Sequence, residues 1–244
     1  MKYTIPSKGR GEIIGETVDL LGGNNVLVYV HEDEYEFYSK SLTKKQLKVH
    51  DCKGIGAIRR FMYEDNKKED YTFQFDDDII ALEYKFSDKM EIIVDPKHIK
   101  AVIDNCYQMA LDIGTPLFGI AAGVGPMLYS QLNVCMFSGF VNAVNTGVIP
   151  KLMGDINWDP RFTVMHEDHD ISLQVKYHKR YLYIDGRYSI KANEKIGAGM
   201  STIRNYDEHE KCHKLLKLKY GSVIGENPKT KYLNSYRVKL NTGF

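Results

Sequence analysis

The sequence predicts a single α/β domain with a mostly parallel sheet in its first half and a mixed α/β second half. In residues 1–80, short β-prone segments alternate with helical ones in the order β-α-β-α-β-α-β, as in doubly wound folds. The continuous apolar run at 26–30 is typical of a parallel strand buried on both faces. No repeat, low-complexity tract or clear linker divides the 244 residues, so we predict one domain over 1–244, with functional halves 1–80 and 81–244.

The first half is interpreted from its apolar runs and its glycine and proline residues. Residues 2–5 form a β-prone segment that ends at Pro6, and a turn at 7–11 then carries Lys8 and Arg10. A strand followed by such a turn and a helix is a common way for α/β folds to meet a phosphate. The remaining predicted elements are helices at 12–21 and 34–39, a helix that is opened by the Gly-punctuated loop 53–61 and ends near 66, and strands at 26–30, 47–50 and 71–75.

The second half is less regular. Asp95 followed by Pro96 predicts a capped helix that continues to about residue 113. The other predicted helices are 171–177 and 207–218, and the predicted strands are 82–86, 91–94, 117–120, 134–137, 162–165, 181–184, 187–192 and an edge strand within 232–240. Residues 142–150 and 197–201 are predicted to be loops.

Composition and charge favour a soluble protein of a reducing compartment. The 33 Lys and Arg residues nearly balance the 32 Asp and Glu residues, so no overall basic field indicates a nucleic-acid partner. The four cysteines are widely spaced and form no C-x-x-C pair, which fits reduced thiols. There is no secretory pattern at the start and no apolar run of membrane-spanning length, so we expect a cytoplasmic protein without membrane association.

Three consecutive carboxylates follow the β-prone segment 71–75. In an extended chain Asp76 and Asp78 point to one side and Asp77 to the other. Two carboxylates on one side suit Mg²⁺ or Mn²⁺, which take oxygen ligands and keep waters and substrate phosphates. We therefore predict a metal site at Asp76 and Asp78, and the alternative is a polar turn after a strand.

A second acidic cluster comes late in the chain, where a predicted strand gives way to a helix. It contains Glu167, Asp168 and Asp170, with His166 and His169 beside them. Carboxylates at this position commonly cap a helix. The functional interpretation is a general base, which deprotonates an incoming hydroxyl, or a metal-linked carboxylate, in either case opposite the first cluster.

Several cations follow strand ends or loops and would suit a diphosphate. They are Lys8, Arg10, Arg59, Arg60 and Arg204, and each is alternatively a solvated surface residue. His209 and His213 have helical spacing, but no third zinc ligand is evident, so we expect no zinc site, although a late histidine would complete a Mn²⁺ or Mg²⁺ site. The sequence contains neither a Gly-x-Ser-x-Gly elbow nor a Walker A motif, so nucleophilic hydrolase chemistry is unsupported.

The order of these features resembles the GT-A type of nucleotide-sugar glycosyltransferase, over most of the chain to about residue 220. The resemblance lies in the Ile-Pro-Ser-Lys-Gly-Arg opening at 5–10, the acid-terminated strand at 28–34, the triple Asp at 76–78 and Glu167-Asp168. The opening, the triple Asp and the His-Glu-Asp-His-Asp cluster at 166–170 are similar, more narrowly, to glycosyltransferases of hypermodified DNA bases, of the phage hydroxymethylpyrimidine and base-J type.

The resemblance implies a GT-A-like domain with a Rossmann-like first half that binds the nucleotide sugar and a second half that binds the acceptor. It implies a uridine diphosphate type of donor, a DNA acceptor with a hydroxymethylated pyrimidine, and Mn²⁺ or Mg²⁺. A phage-encoded enzyme would act in the host cytoplasm. If the acceptor is DNA, basic stretches at 176–180 and 211–219 would supply phosphate contacts.

The resemblance also implies roles for individual residues. Asp168, with Glu167 beside it, would be the catalytic base, and Asp76, Asp78 and His213 would be the metal ligands, with His209 as the alternative histidine. The residues implied to bind the nucleotide sugar are Pro6, Ser7, Arg10, Glu32, Glu34, Arg59, Asp76, Asp77, Gly199 and Arg204. The alternatives from other classes are a Mg²⁺-dependent sugar-phosphate nucleotidyltransferase, a nuclease that uses the same Asp cluster, and a noncatalytic binding module.

Overall fold

The protein was examined as a computed structural model that describes residues 1–86, 89–121, 134–135, 146–180, 182–193, 206–226 and 238–240. The strands of the main sheet are β1 (Lys2–Pro6), β2 (Val26–His31), β3 (Leu47–His50), β4 (Thr72–Gln74), β5 (Ile79–Phe86), β6 (Lys89–Ile93), β7 (Leu117–Ala121), β8 (Val134–Cys135), β9 (Thr146–Val148) and β10 (Tyr183–Ala192). Strands β11 (Ile224–Glu226) and β12 (Val238–Leu240) form a separate antiparallel pair.

The helices lie between these strands. They are α1 (Ile14–Leu20), α2 (Tyr35–Tyr38), α3 (Ile55–Asp65), α4 (Pro96–Ile113), α5 (Pro150–Met153), α6 (Glu167–Lys179) and α7 (Tyr206–Tyr220). Helix α4 shows how the sequence sets the ends of a helix. Asp95 accepts a hydrogen bond from the Lys97 amide at 3.1 Å, Pro96 occupies the first turn, and Gly114 ends the helix in the left-handed region.

The main sheet has the order β3-β2-β1-β4-β9-β7-β10-β5-β6, with β8 paired to β10. The first four strands in this order are mutually parallel. The remaining pairs are antiparallel except for β7 with β10, so the predicted α/β class, with a parallel first half and a mixed second half, is confirmed. Because β1 and β4 are parallel neighbours, the residues that follow them meet at the same edge of the sheet.

The largest buried cluster lies on the sheet and draws on both halves of the chain. It includes Ile5 and Phe73 from the parallel strands, Ile103 from α4 and Phe118 from β7. A second cluster surrounds Trp158, and a third joins α6 to α7. The two predicted halves, 1–80 and 81–244, therefore share one continuous core.

Four predictions for the second half are wrong in detail. Residues 146–148 are a strand rather than a loop. Gly147 pairs with Phe73 of β4 on one side and with Phe118 of β7 on the other, so this short segment is a strand because it lies between two strands. Residues 162–165 are not a strand. The segment 183–192 is one strand with a register shift, since Asp185 turns inward to bind Arg187 rather than forming a hairpin turn. Helix α6 begins at Glu167, so the second acidic cluster lies inside its first turn.

Cys52, Cys106 and Cys212, whose side chains are described, are free thiols. No helix in the described part of the chain combines the length and the apolarity needed to cross a bilayer.

Candidate active site

The residues that follow β1 and β4 are tied together by hydrogen bonds. Ser7 Oγ donates to Asp77 Oδ2 at 2.6 Å, and Tyr38 OH lies 2.7 Å from Ser7 Oγ. Because the single Ser7 hydroxyl proton is used on Asp77, Tyr38 is the donor in the second bond. The Arg10 amide in turn donates to the Tyr38 oxygen at 3.0 Å. The chain of bonds fixes the loop after β1 against the acidic cluster after β4.

Arg10 is the cation of this cluster. One guanidinium nitrogen, Nη1, contacts Oδ1 of Asp77 and lies 2.9 Å from Oδ2 of Asp78. Burial raises the pKa of the Asp77 carboxyl, while the Ser7 hydrogen bond and the Arg10 charge oppose that rise. The predicted grouping of Ser7, Arg10 and Asp77 is therefore present as a connected polar network.

Asp76 faces a different cation. Burial raises the pKa of Asp76 to about 6, and the nearby charge of Arg59 partly offsets this effect. Arg59 is only 2% exposed and donates through Nη1 to Gln74 Oε1 at 2.7 Å. Its guanidinium therefore supports the cluster from the core, and the diphosphate contact of Arg59 stays a prediction.

The three carboxylates differ in burial, with Asp77 set apart from Asp76 and Asp78. Strand β4 ends at Gln74, before the three carboxylates, so strand geometry does not itself impose this difference. Asp77 is the buried member, whereas Asp76 and Asp78 are half-buried. Asp77 is thus held inside the protein by Ser7 and Arg10, and the two carboxylates predicted to bind metal lie on either side of it.

The chemistry of these carboxylates fits a hard divalent cation in part. Asp78 Oδ1 is buried and has no hydrogen-bond partner among the described residues, so it offers an unsatisfied anionic oxygen. Within the same described residues, however, no three His, Cys, Asp or Glu side chains are arranged to hold a metal ion. Asp76 and Asp78 would therefore contribute a minority of the ligands, and water and phosphate oxygens the rest, as is usual for Mg²⁺.

The segment that leads to the second acidic cluster contacts the start of α3. The amides of Ile55 and Gly56, at the start of α3, donate to the carbonyls of Thr163 and Phe162, each at 2.9 Å. A Cβ on Gly56 would lie 2.4 Å from the Asp159 carbonyl oxygen, so only glycine allows this approach. Because α3 follows β3, the segment that leads into α6 lies toward the carboxyl ends of the parallel strands.

Asp168 is paired with its neighbour in the first turn of α6. His169 Nδ1 lies 2.8 Å from Asp168 Oδ1. Burial acts to raise the pKa of Asp168, but hydrogen bonds from His169 outweigh it and hold that pKa below its ordinary value. Asp168 is therefore an ionised carboxylate with a fixed orientation, and Glu167 beside it is buried.

A histidine cluster lies behind Asp168. His166 precedes α6 in a left-handed conformation with φ of 68° and is 2% exposed. Its ring centroid is 5.1 Å from that of His169 and 5.9 Å from that of His213, and burial lowers its pKa to about 3. His213, predicted as the third metal ligand, thus packs with His166 at the start of α6, next to buried His209.

The remaining predicted site residues divide into three groups. Glu34 accepts a hydrogen bond from the Gly9 amide at 3.1 Å, which joins it to the loop after β1. Glu32 is exposed in the turn after β2, and Pro6 is the last residue of β1. Gly199 and Arg204, in the loop expected to close on the donor, lie outside the described residues.

Sequence reasoning missed two residues of the network, Tyr38 and Thr17. Tyr38 is fully buried in α2 and bonds to Ser7 and Arg10, and Thr17 in α1 donates to the carbonyls of Asp77 and Ile79 at 3.3 and 3.1 Å. The available signal was weak, because a tyrosine and a threonine at helical spacing are most often ordinary core residues.

Known proteins resemble this chain in structure rather than in sequence. Neither models of protein families nor curated protein sequences give a match. A crystal structure described as a mycobacterial protein matches 98% of this chain and 82% of its own, with a TM-score of 0.50 and 11% identity. Glucosyl-3-phosphoglycerate synthase from Mycobacterium tuberculosis, in complex with Mn²⁺, uridine-diphosphate-glucose and phosphoglyceric acid, matches 98% of this chain and 86% of its own, with a TM-score of 0.48 and 10% identity. At such identity the likeness to the mycobacterial protein concerns the α/β fold alone.

Proposed function

We propose that the chain is a metal-dependent glycosyltransferase of the GT-A type, which moves a sugar from a nucleoside diphosphate sugar to an acceptor hydroxyl. The observation that carries the proposal is the meeting of Arg10 with Asp77 and Asp78 where two adjacent parallel strands end. A phosphate-binding cation and metal-binding carboxylates are the two groups that a nucleoside diphosphate requires at one point.

In this proposal the first half of the chain holds the donor. Asp76 and Asp78 hold Mn²⁺ or Mg²⁺, and the cation, when bound, stabilises the negative charge of the departing diphosphate. Asp77 keeps the cluster in place through Ser7, and Arg10 positions the diphosphate. Glu34 orders the loop that carries Arg10, because it binds the Gly9 amide.

The second half supplies the base. The acceptor oxygen bonds to the anomeric carbon as the bond between that carbon and the diphosphate breaks, and the hydroxyl proton passes to Asp168. His169 holds the Asp168 carboxylate in one orientation at 2.8 Å. Asp168 is ionised at neutral pH, as an Asp carboxyl of ordinary or lowered pKa is, and it can therefore accept the hydroxyl proton as the glycosidic bond forms.

The acceptor is proposed to be a hydroxymethylated pyrimidine in DNA, and this part rests on the sequence resemblance. One group of predicted phosphate contacts needs correction. Lys176 is buried within α6, and Lys219 is bound to Asp170 at 2.5 Å and Asp159 at 3.1 Å, so neither is offered to a DNA backbone. A DNA contact would rely on exposed cations such as Arg180, Lys211 and Lys214.

A thermal-shift panel tests the proposed donor. The protein is heated with UDP, GDP, ADP or the corresponding nucleotide sugars, each with and without Mn²⁺. We expect one nucleotide class to raise Tm only when Mn²⁺ is present, because binding to the folded state alone stabilises it. Absence of a metal-dependent shift for every nucleotide would contradict the proposal. A nuclease would cleave DNA and ignore the nucleotide sugars, and a nucleotidyltransferase would release pyrophosphate from a nucleoside triphosphate and a sugar phosphate.

The acceptor is tested separately by mass spectrometry. DNA that contains hydroxymethylcytosine is incubated with the protein, Mn²⁺ and the donor identified by the thermal shifts, and the nucleosides are then weighed. A gain of one sugar residue per modified base is the expected result. Unchanged mass, with cytosine DNA as the parallel control, would exclude the DNA acceptor and leave the donor chemistry in place.

A further inference from the structure

We propose that Arg10 is an internal counter-cation, which neutralises the acidic cluster in the metal-free protein and leaves it when a divalent cation and a diphosphate bind. The inference rests on the proposed function and adds a conformational exchange to it. Its consequence is that metal and nucleoside diphosphate strengthen each other's binding through the displacement of one side chain.

The geometry sets Arg10 in competition with the metal. A single nitrogen, Nη1, contacts carboxylate oxygens of both Asp77 and Asp78. A cation bound to Asp78 would face the guanidinium across one carboxylate group, and like charges at such short range repel strongly. The metal therefore binds Asp78 fully only after Arg10 has moved away.

The rest of the site stays in place when Arg10 leaves. Asp77 keeps the Ser7 hydrogen bond on its other oxygen at 2.6 Å, and Ser7 is itself bound by Tyr38. Oδ1 of Asp78 is buried and unpartnered among the described residues, so it is available to bind a cation. The exchange therefore needs no rearrangement of the carboxylates themselves.

Arg10 is also attached in a way that permits the movement. Its backbone amide is held by Tyr38 OH at 3.0 Å, and Gly9 precedes it in the left-handed region with φ of 69°. The loop is thus fixed at its backbone, so the proposed movement is confined to the Arg10 side chain, which is 10% exposed. A diphosphate at the same edge provides the replacement partner, since guanidinium groups bind phosphate oxygens in pairs.

Manganese binding measured by electron paramagnetic resonance tests the exchange. Free Mn²⁺ is titrated against the wild type, Arg10→Gln and the control Lys45→Gln, each with and without UDP. Lys45 is exposed in the turn before β3, has no part in the proposed site, and gives a matched loss of charge. We expect Arg10→Gln to bind Mn²⁺ alone about tenfold more tightly than the wild type, and UDP to tighten Mn²⁺ binding about tenfold less than it does in the wild type. Lys45→Gln should behave as the wild type.

The outcomes separate the exchange from the proposed function. Unchanged or weaker binding of Mn²⁺ alone by Arg10→Gln would overturn the exchange, whereas a wild type that binds no Mn²⁺ with any nucleoside diphosphate would overturn the proposed function itself. If the variant does not fold, the wild type is treated with phenylglyoxal and the modified arginines are identified by mass spectrometry. Arg10 should become more reactive when Mn²⁺ alone is added and be protected again by UDP, and reactivity that Mn²⁺ leaves unchanged would equally overturn the exchange.

Discussion

Ser7 Oγ and Asp77 Oδ2 are joined by a hydrogen bond of 2.6 Å between residues separated by 70 positions in sequence. The bond connects the residue after β1 to the buried carboxylate after β4. The acidic cluster is therefore positioned by the protein itself before any ligand arrives. Such preorganised placement is what a site needs to stabilise charge without reorganisation.

Replacing Ser7 with alanine should cost stability. Oδ2 of Asp77 loses the Ser7 donor while Oδ1 keeps Arg10, and Tyr38 OH loses its acceptor, both in buried surroundings. We expect Ser7→Ala to lower the free energy of unfolding by about 1–3 kcal/mol, the usual cost of leaving a buried polar group unsatisfied. Urea unfolding measures the change, with exposed Ser41→Ala as the control. Equal stability of the two variants would show that the hydrogen bond does not hold the cluster.

Asp78 should be required for metal-dependent donor binding, because its Oδ1 is buried and unpartnered among the described residues. We expect Asp78→Asn to reduce the affinity for UDP in the presence of Mn²⁺ by about 10–100-fold, which is the usual size of the coupling between the binding of two ligands. Binding is followed by calorimetry. The control is Asp33→Asn, whose carboxylate side chain is 82% exposed. Undiminished binding by Asp78→Asn would remove this residue from the metal site.

Gly56 should be intolerant of a side chain, and Gly15 should accept one. A Cβ at Gly56 would lie 2.4 Å from the Asp159 carbonyl oxygen and 2.8 Å from that of Phe162, whereas a Cβ at Gly15 in α1 meets nothing within 4 Å. We expect Gly56→Ala to destabilise the protein by about 1–3 kcal/mol through overpacking. Gly15→Ala should stabilise it by up to about 1 kcal/mol through helix propensity.

Thermal and urea unfolding of the two glycine variants measure these changes. Because Gly56 brings the segment before α6 to the start of α3, its variant should also weaken any activity that depends on Asp168. A Gly56→Ala protein as stable as the wild type would mean that the segment 159–162 moves away from α3 without a loss of stability. Close packing at Gly56 would then not be required.

The sequence predicted the parallel half of the fold well, because each element there carries its own signal. Buried parallel strands are continuous apolar runs, and glycine, proline and acidic residues mark their ends, so 26–30 was placed within one residue of β2. Strand β9 was missed because its three residues owe their strand conformation to β4 and β7 on either side, and no local pattern records such neighbours. The 162–165 segment was misread for a related reason, since its apolar residues pack against α7 rather than into the sheet.

The arrangement of the candidate site could not be predicted from its residues. Consecutive carboxylates after a strand indicated an acidic cluster, but Lys8 and Arg10 were assigned to a phosphate, so the pairing of Arg10 with Asp77 and Asp78 was not foreseen. Alternation separated Asp77 from Asp76 and Asp78, and Asp77 does differ from them in burial. Which side is buried could not be predicted, because β4 ends at Gln74, before the cluster. The role of Tyr38 depends on its hydrogen bond with Ser7, 31 positions away in sequence, and a contact at that separation cannot be predicted from local residue spacing.

Tyr220 should anchor the end of α7 to α6. Its hydroxyl donates to Oδ1 of Asp170 at 2.7 Å, and Asp170 is fully buried and also bound by Lys219 at 2.5 Å. We expect Tyr220→Phe to lower the free energy of unfolding by about 1.5–3 kcal/mol, as for a hydrogen bond to a charged group. Tyr177→Phe, on the exposed side of α6 with the tyrosine 79% exposed, is the matched control. If both variants unfold at the wild-type urea concentration, Tyr220 does not stabilise the α6–α7 contact.

Stability should fall in mild acid because His166 is held neutral. Burial lowers its pKa to about 3 in the folded protein, against 6.5 in the unfolded chain, and the groups that face it are Asp168, His169, His209 and His213. Between these two values the unfolded chain binds the additional proton. The contribution of His166 is therefore fully present above pH 6.5 and is lost as the pH falls below it, by up to about 1.4 kcal/mol per pH unit.

An asparagine in place of His166 isolates this contribution. Asparagine tolerates the left-handed conformation and does not titrate in this range, so His166→Asn should fold and show a shallower loss of stability between pH 6.5 and 4.5. Urea unfolding at several pH values gives the slope, and His98→Asn, at an exposed position of α4, should keep the wild-type slope. A His166→Asn slope equal to that of the wild type would place the acid sensitivity in groups other than His166.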